Sequence, residues 1–254
     1  MKKLILKYLN RQYPFDNDYI IYNKFNIDYI KEELETAAEK FANAPNGSLL
    51  FVWGKGFISN GIRIGQKLES ITQTLKETGK FNIDWNFNTP THVESKINAT
   101  HSVSAEAIGV KEMQFARHIG KEIGLTLMKP IIINNNDIRW QRSAIRYLNS
   151  KIGTTLYNYL GVMSFVYRSF AWIFKWTPIK FHKWKFAQFC SEISANSFAN
   201  CVGGGKFLSF TEGTSKISPE ELYNYCKKSR FMEKEILIKP TIYKINGKLI
   251  KVKI

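Results

Sequence analysis

Three cysteines carry the most reactive side chains of this 254-residue chain, and one of them stands where a nucleophile would be placed. Cys190 directly follows residues 185–189 (KFAQF) and opens a stretch with helical spacing. Unpaired backbone N–H groups at the start of a helix stabilise a thiolate. Cys201 falls near the end of the same stretch, and Cys226 falls inside a later amphipathic helix. Cys190 is therefore the candidate nucleophile, and a small buried apolar residue is the alternative interpretation.

The same cysteines exclude two other kinds of chemistry. Their number is odd and too small for a disulfide framework. No two of them form a Cys-x-x-Cys pair, and no cluster of His, Cys and Asp has the sequence spacing of metal ligands. We therefore expect neither a metal nor another cofactor.

Four histidines are available as the base that a thiol nucleophile needs. His92 is the best candidate, because it begins a predicted strand directly after a loop and a proline. His101 begins the next predicted strand and could pair with His92. His118 lies in a charged segment (ARHIGKE) and is predicted to be a solvated surface residue, and His182 lies in a basic segment (KFHKWK). His92 also has a structural interpretation, as a hydrogen-bonded histidine of the fold.

The elements that would position these residues do not follow a regular strand–helix alternation. Apolar runs and period-two patterns predict strands at 48–53, 91–97, 101–107 and 125–133. Helical spacing predicts helices at 27–43, 57–79, 111–124, 136–153 and 190–205, the last of them closed by its three glycines. Ser218, Pro219 and Glu221 predict a further helix start. Asn246 and Gly247, inside an alternating tail, predict a hairpin. The sequence therefore predicts an α+β fold.

Seven short segments, taken in order along 47–231, are similar to the motifs of one family. They are 47–51 (GSLLF), 57–65 (FISNGIRIG), 91–94 (THVE), 103–110 (VSAEAIGV), 153–159 (GTTLYNY), 190–192 (CSE) and 218–222 (SPEEL). This order resembles the circularly permuted NlpC-type papain-like cysteine hydrolases, the YiiX-like group related to lecithin retinol acyltransferase. In that branch the histidine strand precedes the cysteine helix. Ser48 and Asn158 stand where the family has Asp, and an insertion at about 67–90 precedes His92.

The resemblance implies a fold and a domain plan. The permuted papain-like core would occupy 47–231 and consist of a small antiparallel sheet packed on helices. A helical leader (1–46) would precede it, and a basic β-hairpin tail (232–254) would follow it. Leader and tail would be available to dock protein partners.

The resemblance also implies a mechanism. Cys190 and His92 would form a thiolate–imidazolium pair that acts through an acyl-enzyme on an amide or ester bond, in a cell-wall peptide, another peptide or a lipid. Glu106 matches the position of the third group, which orients His92. His101 and Glu94 are the alternatives for that role.

Residues 166–186 interleave aromatic and basic side chains directly before the candidate nucleophile. Such a stretch can stack nucleic-acid bases, lie at a membrane interface, or pack one face on the core while Lys and Arg reach solvent. Its position suggests a fourth use, as one wall of an apolar substrate cleft. Trp184 in this stretch and Tyr157 in the family's Tyr-containing turn are the candidate substrate-binding residues.

The charge balance favours an acidic or amphiphilic partner. The chain has 37 Lys+Arg and 21 Asp+Glu, a formal charge of +16. Peptidoglycan peptide or lipid is the expected substrate, and nucleic acid is a less favoured partner. No apolar run is long enough to span a bilayer, and the start of the chain lacks the long apolar stretch and cleavage site of a signal peptide. We expect a soluble protein of a reduced compartment or a virus particle.

A second hypothesis competes with the enzyme. The two missing Asp residues, the excess positive charge and the basic tail are also typical of a structural or interaction protein, such as a phage-particle component, that keeps the fold with a weak or inactive site.

Overall fold

The computed structural model describes residues 36–53, 89–106, 109–118, 124–156, 188–211, 213–214 and 217–238, and the backbone of 21–22, 157, 187, 242–245 and 248–250. Within these ranges a six-stranded antiparallel sheet and several helices form an α+β structure, as the sequence predicts. The predicted helix at 57–79, the inserted residues 67–88 and the aromatic-basic stretch 166–186 lie outside the described residues.

The strands follow one another as β1 (Ile21–Tyr22), β2 (Leu49–Val52), β3 (His92–Lys96), β4 (His101–Glu106), β5 (Gly109–Gln114), β6 (Leu125–Pro130), β7 (Leu156–Tyr157), β8 (Ala187–Gln188), β9 (Met232–Ile238), β10 (Ile242–Ile245) and β11 (Lys248–Ile250). The main sheet has the spatial order β5-β4-β3-β2-β6-β9. β7 and β8 pair in parallel, and β1, β10 and β11 form a separate small sheet. The strands predicted at 48–53, 91–97, 101–107 and 125–133 are confirmed.

Alternation along the strands divides the apolar side chains between the two faces of the sheet. On β2, Leu49 and Phe51 belong to the core under the later helices, whereas Leu50 and Val52 belong to a second core. The second core is covered by a helix at 36–43, here called the leader helix. The central strand β2 is therefore buried on both faces, which explains its uninterrupted apolar sequence.

Three longer helices are α1 (Asn135–Lys151), α2 (Cys190–Ala199) and α3 (Pro219–Lys228). The predicted start of α3 is confirmed: the Glu221 backbone N–H donates to Ser218 Oγ, and the Ser218 N–H donates to the Glu221 carboxylate. Pro219 occupies the first turn, where its missing N–H costs no hydrogen bond.

Helix α2 packs against β3 and β4 through small and hydroxyl-bearing side chains. Ser194 Oγ lies 2.9 Å from Ser95 Oγ of β3, and Ser191 Oγ donates to the Ile217 carbonyl at 2.6 Å. All residues from Cys190 to Phe198 are buried. These contacts fix the N-terminus of α2, and with it Cys190, over the strand that carries His92.

The leader helix is anchored by a buried lysine of β3. Lys96 is 1% exposed, and its Nζ donates to the Ala44 carbonyl at 2.7 Å and to Asn46 Oδ1 at 3.1 Å. A lysine ammonium cannot be buried without acceptors, so these contacts favour one arrangement of the chain between leader and sheet.

Two predicted helices differ from the structure. Residues 111–114 of the predicted helix 111–124 are the outer part of strand β5, and Phe115–His118 form a 3₁₀ helix. Pairing of β5 with β4 overrides the helical spacing of the local sequence. The helix predicted at 190–205 ends at Ala199, before the glycines.

The tail divides between two sheets. β9 is an edge strand of the main sheet and pairs with β6, whereas β10 and β11 form the antiparallel hairpin that Asn246 and Gly247 predict. No helix of the described residues is both long enough and apolar enough to cross a bilayer.

Candidate active site

The structure brings the candidate nucleophile and the candidate base together. Cys190 is the first residue of α2, and His92 is the first residue of β3. Their side chains are joined by a hydrogen bond. Since His92 Nε2 is engaged by other partners, Nδ1 is the ring nitrogen left for the thiol.

The surroundings of His92 favour its protonated form. Burial alone would lower the pKa of His92, but the charge of Cys190, its hydrogen bond and the carboxylate of Glu106 together hold that pKa well above the ordinary value. An imidazolium beside a cysteine supplies the positive charge that a thiolate nucleophile needs.

Glu106 and Ser104 hold the outer nitrogen of the His92 ring. Glu106 Oε1 lies 3.2 Å from His92 Nε2, and Ser104 Oγ lies 2.8 Å from the same nitrogen. Burial would raise the pKa of Glu106, but hydrogen bonds and charges from His92 and Arg117 lower it to about 2. Glu106 is therefore ionised at neutral pH, where it can orient and stabilise the imidazolium.

The register of the β3–β4 hairpin explains why Glu106 reaches His92. Ser95 pairs with Val103 and Lys96 pairs with Ser102. Continuing this register towards the start of β3 places His92 opposite Glu106. The same register places His101 at the other end of the hairpin.

A second, fully buried carboxylate lies beside the first. Glu94 Oε1 is 3.6 Å from His92 Nε2 and 3.0 Å from His118 Nε2, and the Glu94 carboxylate accepts hydrogen bonds from Ser102 and Arg117. Burial would raise the pKa of Glu94, but these histidines and Arg117 hold it well below the ordinary value. Glu94 is the closer partner of Arg117 and His118, and Glu106 is the closer partner of His92.

One ligand atom from each of His92, Glu94 and Glu106 lies within 4.8 Å of the others, a spacing that metal ligands also have. The guanidinium of Arg117 contacts both carboxylates, at 2.7 Å in the case of Glu106 Oε1. Arg117 therefore supplies a positive charge next to both carboxylates.

Two expectations about histidines are wrong. His118 is 2% exposed and not a solvated surface residue, because the 3₁₀ turn after β5 folds it against Glu94. His101 does not pair with His92: its Nδ1 contacts Thr100 Oγ1 at 2.8 Å and lies 3.9 Å from Glu112. His101 is thereby removed as the alternative third group.

The two candidate substrate-binding residues are only partly placed. The backbone of Tyr157 pairs with Gln188, two residues before Cys190, so the Tyr157 strand runs beside the approach to the nucleophile. Trp184 lies outside the described residues.

Sequence reasoning missed Ser104 and Arg117. A signal for Ser104 exists, because Ser102, Ser104 and Glu106 recur every second residue and so share one face of β4. Arg117 has no such signal, since it reaches the site only through the turn that follows β5.

No known protein-family model matches this chain, and no curated protein sequence matches it either.

Proposed function

We propose that the protein is a thiol hydrolase or acyltransferase that works through an acyl-enzyme on Cys190. The observation that carries this proposal is the position of His92, which contacts Cys190 on one side and the ionised Glu106 on the other. A nucleophile, a base and a group that orients the base are the three parts that cysteine hydrolases need.

In the first half of the reaction, the Cys190 thiolate attacks the carbonyl carbon of an amide or ester, and a C–S bond forms. The carbonyl oxygen takes the negative charge, and the backbone N–H of Cys190, one of the N–H groups that a helix start leaves without an intrahelical acceptor, can donate to it. His92 then gives its proton to the leaving amine or alcohol as the C–N or C–O bond breaks.

In the second half, a water or an acceptor hydroxyl or amine attacks the thioester. His92, now neutral, removes the proton from this nucleophile, and the Cys190 thiolate leaves. Glu106 and Ser104 favour one tautomer in both halves, because the carboxylate at 3.2 Å and the hydroxyl at 2.8 Å both face Nε2 and leave Nδ1 for the reacting atoms.

We further propose that the core is a circularly permuted papain-like fold. Three features support it: the histidine strand precedes the cysteine helix, the sheet is antiparallel, and α2 presents Cys190 at its N-terminus. The proposed substrates are amide or ester bonds of peptidoglycan peptides or lipids, and the charge of +16 supports an anionic substrate.

Selective alkylation tests the activated thiolate. The three cysteines are free and about equally buried, with Cys190 3%, Cys201 7% and Cys226 1% exposed. A difference in their alkylation rates therefore reports reactivity more than access. Iodoacetamide is expected to label Cys190 first and Cys226 slowest, because burial raises the pKa of the Cys226 thiol. Peptide mass spectrometry at short times measures the three rates.

The preference for Cys190 should disappear in His92→Ala. His101→Ala is the matched control, because it removes a histidine from the neighbouring strand that does not touch the thiol. Equal labelling of all three cysteines in the unmodified protein would contradict an activated thiolate. With p-nitrophenyl acetate, intact-mass detection of an acetyl group on Cys190 tests the acyl-enzyme itself.

A specific feature also favours the second candidate function, binding of a polyanion. Arg139, Arg142 and Arg146 are exposed on α1 and recur at spacings of three and four, so they share one face of the helix. The helix has one acidic residue, Asp137, which is buried and paired with Lys206 at 2.7 Å. These arginines repel each other on the helix, and phosphates or carboxylates of a partner would relieve that repulsion.

Binding to a short DNA duplex, used as a polyanion of known charge spacing, tests this surface. Substituting all three arginines with Gln is expected to reduce the slope of log K against log salt concentration by about three, roughly one for each lost contact. The control carries the same loss of charge at Lys227, Lys228 and Arg230 around the end of α3. An equal reduction in both variants would show that net charge alone attracts the polyanion.

A further inference from the structure

Apart from His92 itself, Arg117 is the one cation among the described residues that contacts both carboxylates of the candidate site. Its Nη2 donates to Glu94 Oε1 and, at 2.7 Å, to Glu106 Oε1. Arg117 lies in the 3₁₀ turn Phe115–His118 that follows the edge strand β5, and its side chain is 25% exposed. It does not contact His92 or Cys190 in any described hydrogen bond or ion pair.

Arg117 thus bridges Glu94 and Glu106, and Glu94 is the more firmly held of the two carboxylates. Its side chain is completely buried, and Ser102 and His118 bind the same carboxylate that Arg117 binds. Glu106 is the loose end, because it is the last residue of β4 and its side chain is 28% exposed. A glutamate so placed has several side-chain conformations open to it, and only some of them reach His92.

We propose that Arg117 is a positioning residue: by tying Glu106 to the immobile Glu94, it holds the Glu106 carboxylate at His92. The inference rests on the proposed function in giving Glu106 the task of orienting the base. It goes further because it assigns a role to Arg117, which does not contact the thiol or the base. Arg117, from the turn after β5, fixes the position of the Glu106 carboxylate.

A second role for Arg117 would be a simple counter-charge, and the two roles predict opposite effects on His92. If Arg117 only screens Glu106, its removal takes a positive charge away from His92, and the pKa of His92 rises. If Arg117 holds Glu106 in place, its removal lets Glu106 turn to solvent, and the pKa of His92 falls. Within the described part of the chain, the other charged or titratable groups that face His92 are Glu94 from β3 and Cys190 from α2, and Arg117→Met leaves both side chains in place.

The test is an NMR titration of the His92 ring in the full chain, with the His92 signal assigned from His92→Gln. In Arg117→Met the pKa of His92 is expected to fall by at least half of the fall seen in Glu106→Gln. The double variant Glu106→Gln/Arg117→Met should show no further fall, because the carboxylate that Arg117 holds is already gone. A rise, or no change, in Arg117→Met would overturn the proposal.

Lys129→Met is the matched control, because Lys129 also bridges two carboxylates, those of Glu233 and Glu235, at a similarly buried position away from the site. It should leave the pKa of His92 unchanged. If Arg117→Met does not fold, Glu94→Gln/Arg117→Met is compared with Glu94→Gln, so that the loss of the Glu94 charge is common to both proteins. Screening then predicts a higher pKa of His92 in the double variant than in Glu94→Gln, whereas positioning predicts a lower one.

The titration needs no substrate, so it separates this inference from the proposed function. If the protein hydrolyses p-nitrophenyl acetate, Arg117→Met should lower kcat and leave KM unchanged, because Arg117 touches the orienting carboxylate and not the thiol. Failure of all hydrolysis with a fall in the pKa of His92 would refute the enzyme and keep the positioning role. Normal hydrolysis by Arg117→Met with a rise in the pKa of His92 would support the enzyme and refute the positioning role of Arg117.

Discussion

Replacing Glu106 with Gln is expected to lower the steady-state hydrolysis of p-nitrophenyl acetate about 10²- to 10⁴-fold. In the proposed mechanism, deacylation requires His92 to take a proton from water, and Glu106 would both orient the imidazole and stabilise the imidazolium that results. Glutamine keeps the size of the side chain but removes its charge, and it can present an N–H to Nε2, which stabilises the wrong tautomer. The kinetics of release of p-nitrophenolate measure the effect.

The pH profile of Glu106→Gln should change in a defined direction. In the unmodified protein, the charge of Glu106 and that of Cys190 hold the pKa of His92 above its ordinary value. Without the charge of Glu106, His92 loses its proton at lower pH. The limb of kcat/KM that falls at high pH, where the imidazolium disappears, is therefore expected to move to lower pH.

Glu112→Gln is the matched control, because Glu112 lies on the neighbouring strand β5 and its side chain is 44% exposed. Glu112→Gln should retain activity, and the pH dependence of its kcat/KM should be the same as in the unmodified protein. Glu106→Gln with full activity and an unchanged profile would refute the role of Glu106 and leave Glu94 as the carboxylate to test.

The pair Cys190 and His92 could be selected from sequence because each stands at the start of its element. A cysteine that opens a helix and a histidine that opens a strand after Pro90 are both local signals. The contact between their side chains cannot be predicted from local sequence, because almost a hundred residues separate them and no local pattern specifies how α2 docks on β3. The order of motifs suggested this docking through a family resemblance, and the sequence spacing alone does not.

The carboxylates show where local patterns stop being informative. Glu94 lies two residues after His92 and so shares its strand face by alternation. Local spacing alone would therefore select Glu94, and not Glu106, as the group that orients His92. Glu106 is opposite His92 only because the turn at 98–100 sets the register of β3 and β4. Arg117 and His118 depend on one more step, the pairing of β5 with β4, which brings a segment with helical spacing under the sheet.

The glycines after α2 are required by backbone conformation and close packing, and not only to end the helix. Sequence analysis predicts that three glycines close the helix, but α2 ends at Ala199, before them. Gly203 has a φ of 87°, in the left-handed region that favours glycine. Gly204 lies against the C-terminal end of α2, beside Trp140, whose indole packs between Phe198 and Phe207 at centroid distances of 4.9 and 4.4 Å.

Gly204→Ala is expected to destabilise the protein by about 3 kcal/mol or more, at the upper end of the cost of overpacking a core. A Cβ at Gly204 would stand 2.0 Å from the Phe198 carbonyl oxygen and 2.7 Å from Trp140 Nε1. The first neighbour is backbone of α2 and cannot swing aside. The second is the nitrogen that donates to the Ser197 carbonyl at 3.3 Å, so relieving either clash moves α2 or breaks its tie to α1. Urea unfolding followed by circular dichroism measures the change.

Gly205→Ala provides the control at the next position, because a Cβ there meets no atom within 4 Å. Its stability should be unchanged or higher by about 0.4–1 kcal/mol, since alanine restricts the unfolded chain more than glycine does. If the two variants lose the same stability, close packing at Gly204 is not what requires glycine. Because Cys190 stands at the other end of the same ten-residue helix, Gly204→Ala should also slow iodoacetamide labelling of Cys190 under folding conditions, while Gly205→Ala should not.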